Sequence, residues 1–230
     1  MHRIIPAILA LAAAVPAPAA ERGYSVTDFD RIVVEGPFAV KLVTGRGPSA
    51  RASGSSAAIE RVSVDVHGRT LRIRSNSSAW GGYPGEGAGP TELLVTTHGL
   101  RSARLSGSGS LDIDKVEGMR FEAALSGSGS LSLGAVEADV LLLGAVGSGT
   151  LEVGGKAKKL QLIAQGAATI EGAGLAVEDA EVDAATSGEI ALGVRRTVRL
   201  TTSGAGNVEI IGSPACTVKA TGAGLVRCGD

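Results

Sequence analysis

From Leu105 onward, apolar residues alternate with small or polar ones, and the alternation restarts at a nearly fixed interval. Residues 105–113 read LSGSGSLDI, 125–133 read LSGSGSLSL and 145–153 read AVGSGTLEV. Weaker copies follow at 165–172, 186–193, 202–210 and 221–228. The apolar residue after each turn falls at Leu111, Leu131, Leu151, Ile170, Ile190, Val208 and Val226, so the spacings are 20, 20, 19, 20, 18 and 18. A period of two means strand. Leu111 and Ile113, Leu131 and Leu133, Leu151 and Val153, Ile190 and Leu192, and Val208 and Ile210 each share one face. A second alternating run follows half a unit later. Its expected inward members are Met119 and Phe121, Val140 and Leu142, Leu160 and Leu162, Ala180 and Val182, and Val198 and Leu200.

Short strands at constant spacing, joined by Gly/Ser turns, fit either antiparallel hairpins or a β-solenoid with one unit per coil. The solenoid accounts for the repeat better. In a parallel stack each residue lies about 4.8 Å above its counterpart one coil earlier, so identical columns arise naturally. Glycine suits the repeated corner because it reaches positive φ without steric cost.

The N-terminal half keeps the alternation without the Gly-Ser turn. Strands are expected at Ile32–Glu35, Phe38–Val43, Ser49–Ala52, Ile59–Val66, Leu71–Arg74 and Glu92–Thr96. Val62, Val64 and Val66 should share a face. The domain is therefore read as residues 21–230, an all-β solenoid of about ten coils. Residues 21–97 form irregular first coils continuous with the later ones, and 98–230 form regular ones. Residues 75–90, SNSSAWGGYPGEGAGP, read as a flexible loop between them. No helix with recognisable caps stands out.

The segment Phe29–Leu42 (FDRIVVEGPFAVKL), followed by the repeated LSGSGS, resembles the autotransporter-adhesin head GIN domain family of secreted bacterial proteins. The similarity runs from about Phe29 to about Gly212. It implies a right-handed parallel β-helix, which agrees with the repeat. It implies little chemistry, because the family supplies no catalytic residues to carry over.

Composition narrows the function classes. Gly numbers 34 of 230 residues, and only 3% of the chain is aromatic, so the core must be built from Val, Leu, Ile and Ala. Residues 1–20 have Arg3 as a short basic region and then an apolar stretch from Ile4 to Val15, too short to span a bilayer. Ala17-Pro18-Ala19 supplies a small-residue cleavage pattern. Residues 1–20 are thus read as a cleaved secretory signal, and the mature chain as exported to the periplasm or the cell exterior without a membrane span. Without Arg3 the 22 basic side chains become 21 against 23 acidic ones, a net charge of about −2. That balance leaves no footprint for nucleic acid.

Cys216 and Cys228 would meet an oxidising compartment and can form a disulfide. Without a nearby His they do not make a metal site. By the repeat, Cys216 falls in the inward column of Val198, and Cys228 in that of Ile210. A bridge would tie the open last coil, provided its Cα atoms lie within about 7 Å. Arg120, Asp139, Lys159, Glu178 and Arg199 are spaced by 19, 20, 19 and 21 residues, which predicts one outward column of alternating sign.

The search for chemistry is mostly negative. His67 and His98 each precede a Gly and read as turn residues. No G-x-S-x-G elbow occurs, because the serines sit in corner runs. The Gly-x-Gly elements precede strands rather than helices, so they are not phosphate cradles. Ser and Thr stand where a calcium β-roll needs Asp. Asp112, Asp114 and Glu117 are acids by type only, and Glu152 and Glu171 lie one coil apart. No cofactor is implied. Trp80 and Tyr83, in the Gly-rich loop, are the candidates for stacking on a sugar or anchoring a partner. The leading functional expectation is a non-enzymatic surface-interaction or adhesin-like module, with a glycan or cell-surface protein as partner. The alternatives are an envelope structural protein without a ligand, and a carbohydrate-active enzyme on a β-helix.

Overall fold

Each repeat folds as one long bent strand closed by a glycine corner, and the repeats stack in parallel. The computed structural model describes residues 20–76 and 91–229. In chain order the elements are β1 (Ala20–Tyr24), β2 (Arg31–Glu35), β3 (Ala39–Thr44), β4 (Ser49–Gly54) and α1 (Ser56–Glu60). Then come β5 (Val62–His67), β6 (Thr70–Ser75), β7 (Glu92–Thr97) and β8 (Ser102–Gly107). The long strands are β9 (Ser110–Gly127), β10 (Ser130–Gly147), β11 (Thr150–Gly166), β12 (Thr169–Thr186) and β13 (Ile190–Thr202). The last coil holds β14 (Val208–Ile211), β15 (Ala215–Ala220) and β16 (Val226–Cys228). Together they make a β-solenoid of about six turns rather than ten. The number is smaller because much of the N-terminal chain is spent on antiparallel excursions.

Burial along β9 shows how one strand encircles the core. Leu111 and Ile113 point inward, then Val116, then Phe121, Ala123 and Leu125. The breaks in alternation after Ile113 and Val116 are bends, so each coil has three faces. The first face holds Ser110–Ile113 and its equivalents. The second is short and centres on Val116, and the third holds Arg120–Ser126. The columns run as the repeat predicts on the first face: Leu111, Leu131, Leu151, Ile170, Ile190, Val208 and Val226 are in register.

On the third face the inward column is Phe121, Leu141, Leu160, Ala180 and Val198. Met119 is therefore not a core residue; it is 79% exposed. Val140 and Leu142 point outward, while Leu141 and Leu143 are buried. The run Val140–Leu143 is apolar at every position, so alternation could not set its phase.

The corner brings successive coils into close backbone contact. Gly107, Gly127 and Gly147 lie in register at φ of +118°, +113° and +116°. The amides of Ser128 and Gly129 donate to the Gly107 carbonyl, and Ser148 donates to that of Gly127. The backbone groups exposed by the turn are thus satisfied by the coil beneath.

The N-terminal coils are not continuous with the later ones in simple order. β2 lies between β6 and β8, and β3 between β7 and β9. After β1 the chain enters what is spatially the second coil at β2 and β3, steps outward through β6 and β7, then returns to the stack at β8. Antiparallel strands cover that end: β4 on β7, β1 on β4, and β5 on β6. An antiparallel covering blunts the outermost edge of the stack, which would otherwise offer itself to other chains. Ile59 belongs to α1 rather than to a strand; Ser55 caps it by accepting from the Ala58 amide at 3.1 Å. Val62 is buried and Val64 and Val66 pack against the core, as their shared face requires. Ser75 ends β6, and the rest of the expected loop, 77–90, lies outside the described residues.

At the C-terminal end, among the described residues, β15 pairs with β13 alone, and its residues are all exposed. Cys216 lies in register with Val198 and Cys228 with Ile210, and the two are bonded across the last coil with Cα atoms 6.6 Å apart. Cys216→Ala should cost about 2–3 kcal/mol, the contribution of a short closed loop. Limited proteolysis of the variant should cut first within residues 213–229, while the earlier coils resist.

Candidate binding face

The predicted charge column resolves into three neighbouring columns. Arg120 is in register with Val140, Lys159, Asp179 and Thr197. Arg199 stands opposite Glu181, two positions further along the strand. Asp139 and Glu178 occupy the column before Arg120, and Lys158 lies between them in the register. The in-register steps are 20, 19 and 20 where the even spacing predicts 19, 20 and 19, and a slip of one residue moves a side chain to another column. The true alternating ladder is Asp139, Lys158, Glu178 and Arg196 on the second face. Lys158 Nζ lies 2.7 Å from Asp139, and Arg196 lies 3.8 Å from Glu178. The hydrogen bond to Asp139 raises the Lys158 pKa.

Arg196 is also clamped to Asp179, and Thr197 Oγ1 donates to the same carboxylate at 2.6 Å. The Arg196 and Thr197 hydrogen bonds lower the Asp179 pKa to about 2. A depressed carboxylate stabilises the fold above its unfolded pKa, and that contribution disappears as pH falls through the folded value. Thermal melts from pH 4 down to pH 2 should therefore fall more steeply for the native chain than for Asp179→Asn. Equal slopes would remove the clamp as a source of acid sensitivity.

Asp112 is outward on the first face, and Asp114 accepts from the amides of Thr44 and Lys115. Glu117 is paired with Lys115. Glu152 and Glu171 stack in register as expected, and Glu152 lines one open groove with Asp112 and Glu92. His98 is bonded at the surface to Asp28 at 3.1 Å, an interaction that lowers the Asp28 pKa. His67 closes the β5–β6 hairpin, where Gly68 takes a φ of +61°. Among the described residues no group of three His, Cys, Asp or Glu could hold a metal ion. Trp80 and Tyr83 lie outside the described residues.

What the structure brings together instead is the third face. At its N-terminal end Arg31, Arg101, Arg104 and Arg120 line an open groove of about 790 Å³ beside the exposed Met119. The buried carboxylate of Asp30 anchors this end: Arg69 Nε is 2.9 Å away and Arg101 Nε 3.6 Å. Arg104 lies 3.7 Å from Glu122. Next to the groove, in mid-face, Leu142, Val146 and Ile163 turn aliphatic side chains outward around Gly144, and the latter two are about half exposed. Beyond Ile163 the sign changes, with Glu181 and Asp183 on β12. The sequence hinted at this in the unbroken apolar run 140–143, which has two hydrophobes more than a single inward face needs.

Residues 28–214 match a family model described as "Putative auto-transporter adhesin, head GIN domain". The chain belongs to the head GIN domain family. A crystal structure described as a "putative adhesin" from Bacteroides fragilis NCTC 9343 superposes on this GIN domain with a TM-score of 0.83. The two are 17% identical, and the match covers 93% of this chain and 97% of the other. A "putative lipid binding protein" from Parabacteroides distasonis ATCC 8503 is 20% identical with a TM-score of 0.69, covering 90% and 95% of the two chains. A "putative adhesin" from Parabacteroides merdae ATCC 43184 is 16% identical with a TM-score of 0.67, again over 90% and 95%. At these identities the likeness establishes the shared fold of the GIN domain. No curated protein matches it. No helix among its described residues is long and apolar enough to cross a membrane.

Proposed function

We propose that this GIN domain is an exported, non-enzymatic module that acts by surface contact, in the manner its family name suggests, and that the third face is its contact surface. The observation that carries this reading is the outward aliphatic patch of Leu142, Val146 and Ile163, bordered by arginines on one side and carboxylates on the other. An apolar centre with a charged rim is the anatomy of a protein-binding surface. Residues 1–20 would direct export, and cleavage would leave Ala20 or Glu21 as the first residue.

The deciding measurement is binding of the mature chain to bacterial cells and to a glycan array, beside Ile163→Asp. Ile163 is exposed, so the substitution should leave folding intact while lowering cell binding at least about tenfold. Unchanged binding by Ile163→Asp would move the contact elsewhere, with Trp80 the next position to substitute.

A further inference from the structure

The aliphatic patch is the middle of a longer row. Across the third face, Arg104 on β8, Ala124 on β9, Gly144 on β10, Ile163 on β11 and Asp183 on β12 stand side by side in register. Their chain neighbours on both sides are buried, so all five point outward. Read as chemistry, the row is cation, small, glycine, large aliphatic, anion. A twofold axis lying along β10 exchanges the first with the fifth and the second with the fourth, and returns Gly144 to itself.

We infer that the third face docks a second copy of this chain about that axis. The inference rests on the reading of this face as the contact surface and names the partner. Ile163 of each copy fills the space above Ala124 of the other. Arg104 of each meets Asp183 of the other, and Leu142 and Val146 meet their own counterparts. In neighbouring rows Glu122 faces Gln161 and Ser102 faces Glu181 of the second copy, in keeping with the register. Arg120 faces Lys159 at the exposed rim, where water and salt screen the like charges. Large against small and plus against minus is what two packed sheet faces require.

Gly144 supplies an independent reason. A Cβ added there would meet nothing within 4 Å, and its φ is not among the positive values. Nothing among the described residues therefore calls for glycine at this position. Glycine inside a strand weakens it, and often marks the close approach of another backbone. On the axis, Gly144 would lie against Gly144 of the second copy.

The flat zone from β8 to β12 is about 24 Å across five strands and about 25 Å along eight residues. That amounts to about 600 Å² per copy, or roughly 1,200 Å² in all, the low end for a specific interface. The dimer is accordingly a transient one, with a dissociation constant of roughly micromolar or weaker. An axis along the strands also makes the two solenoid axes antiparallel, so modules held on opposing surfaces could meet through this face.

Sedimentation equilibrium of the mature chain over a wide concentration range is the test. The expected result is a monomer–dimer equilibrium that Ile163→Asp weakens roughly ten- to a hundredfold. Arg104→Asp and Asp183→Arg should each abolish the dimer, and the double variant should restore it. Gly144→Cys, for which the surface has room, should be captured as a covalent dimer by a short bifunctional thiol reagent. A chain that stays monomeric at every concentration overturns the inference, and so does a double charge reversal that fails to restore association. Folding of each variant is followed by circular dichroism. A monomer whose cell binding still depends on Ile163 would remove the second copy and keep the contact face. A dimer that binds no cells would keep the second copy and remove a foreign partner.

Discussion

Gly147→Ala is expected to destabilise the domain by about 4 kcal/mol, because two costs of about 1–3 kcal/mol each fall on one methyl group. The first is backbone strain: Gly147 has a φ of +116°, where residues other than glycine are rarely found. The second is overlap, since the new Cβ would run into the carbonyl oxygen of Gly127 in the coil beneath. Neither atom can yield, because the Gly127 carbonyl is already accepting from Ser148. The control is Gly144→Ala, which adds the same methyl in open space and should change stability by no more than about 0.5 kcal/mol. Urea unfolding of the two variants side by side should separate them clearly. Equal midpoints would mean that the corners are not where the stack is tightest.

Phe121→Ala is expected to cost about 3–5 kcal/mol, the usual consequence of emptying a fully buried aromatic site. Phe121 heads an inward column whose next members are Leu141, Leu160, Ala180 and Val198. The third-face column therefore changes from the largest side chain to small ones over five coils. Phe121→Leu copies the residue one coil later and should cost less, about 1–1.5 kcal/mol. Guanidinium unfolding with both variants tests this. In a quasi-one-dimensional stack each coil contacts its neighbours alone, so the loss should be felt most by β8 and β10.

Most of the regular half could be read from the sequence because stacking imposes identity on columns. Leu111, Leu131 and Leu151 have to be alike, since each is the floor for the next. The same logic placed Cys216 with Val198 and Cys228 with Ile210, a pair found bonded across the last coil. Legibility failed where the pattern carried no phase. Four consecutive apolar residues at 140–143 hid which pair faced inward, and with that went the position of Asp139 relative to Arg120. The charge ladder accordingly runs through Lys158 and Arg196 instead. The N-terminal order failed for a different reason. Nothing in the alternation of Ile32–Glu35 or Leu71–Arg74 says that β2 lies inside β6, because strand pairing between distant segments is settled by packing. The contact face was visible only as a surplus of hydrophobes, since exposure depends on which side of the strand each residue takes.

The bridge between Cys216 and Cys228 has a further consequence under load. A solenoid held at its two ends can be unwound from the uncovered end like thread from a spool, one coil at a time. Each regular coil of 20 residues would then release about 70 Å of chain. With the bridge closed, the 12-residue span between the two cysteines cannot lengthen, so pulling from the C-terminus must start on β13 and its partners. Reduction would add one short, weak step before the first full coil gives way. The domain would thus behave as a tether with a locked first turn, paying out in even increments.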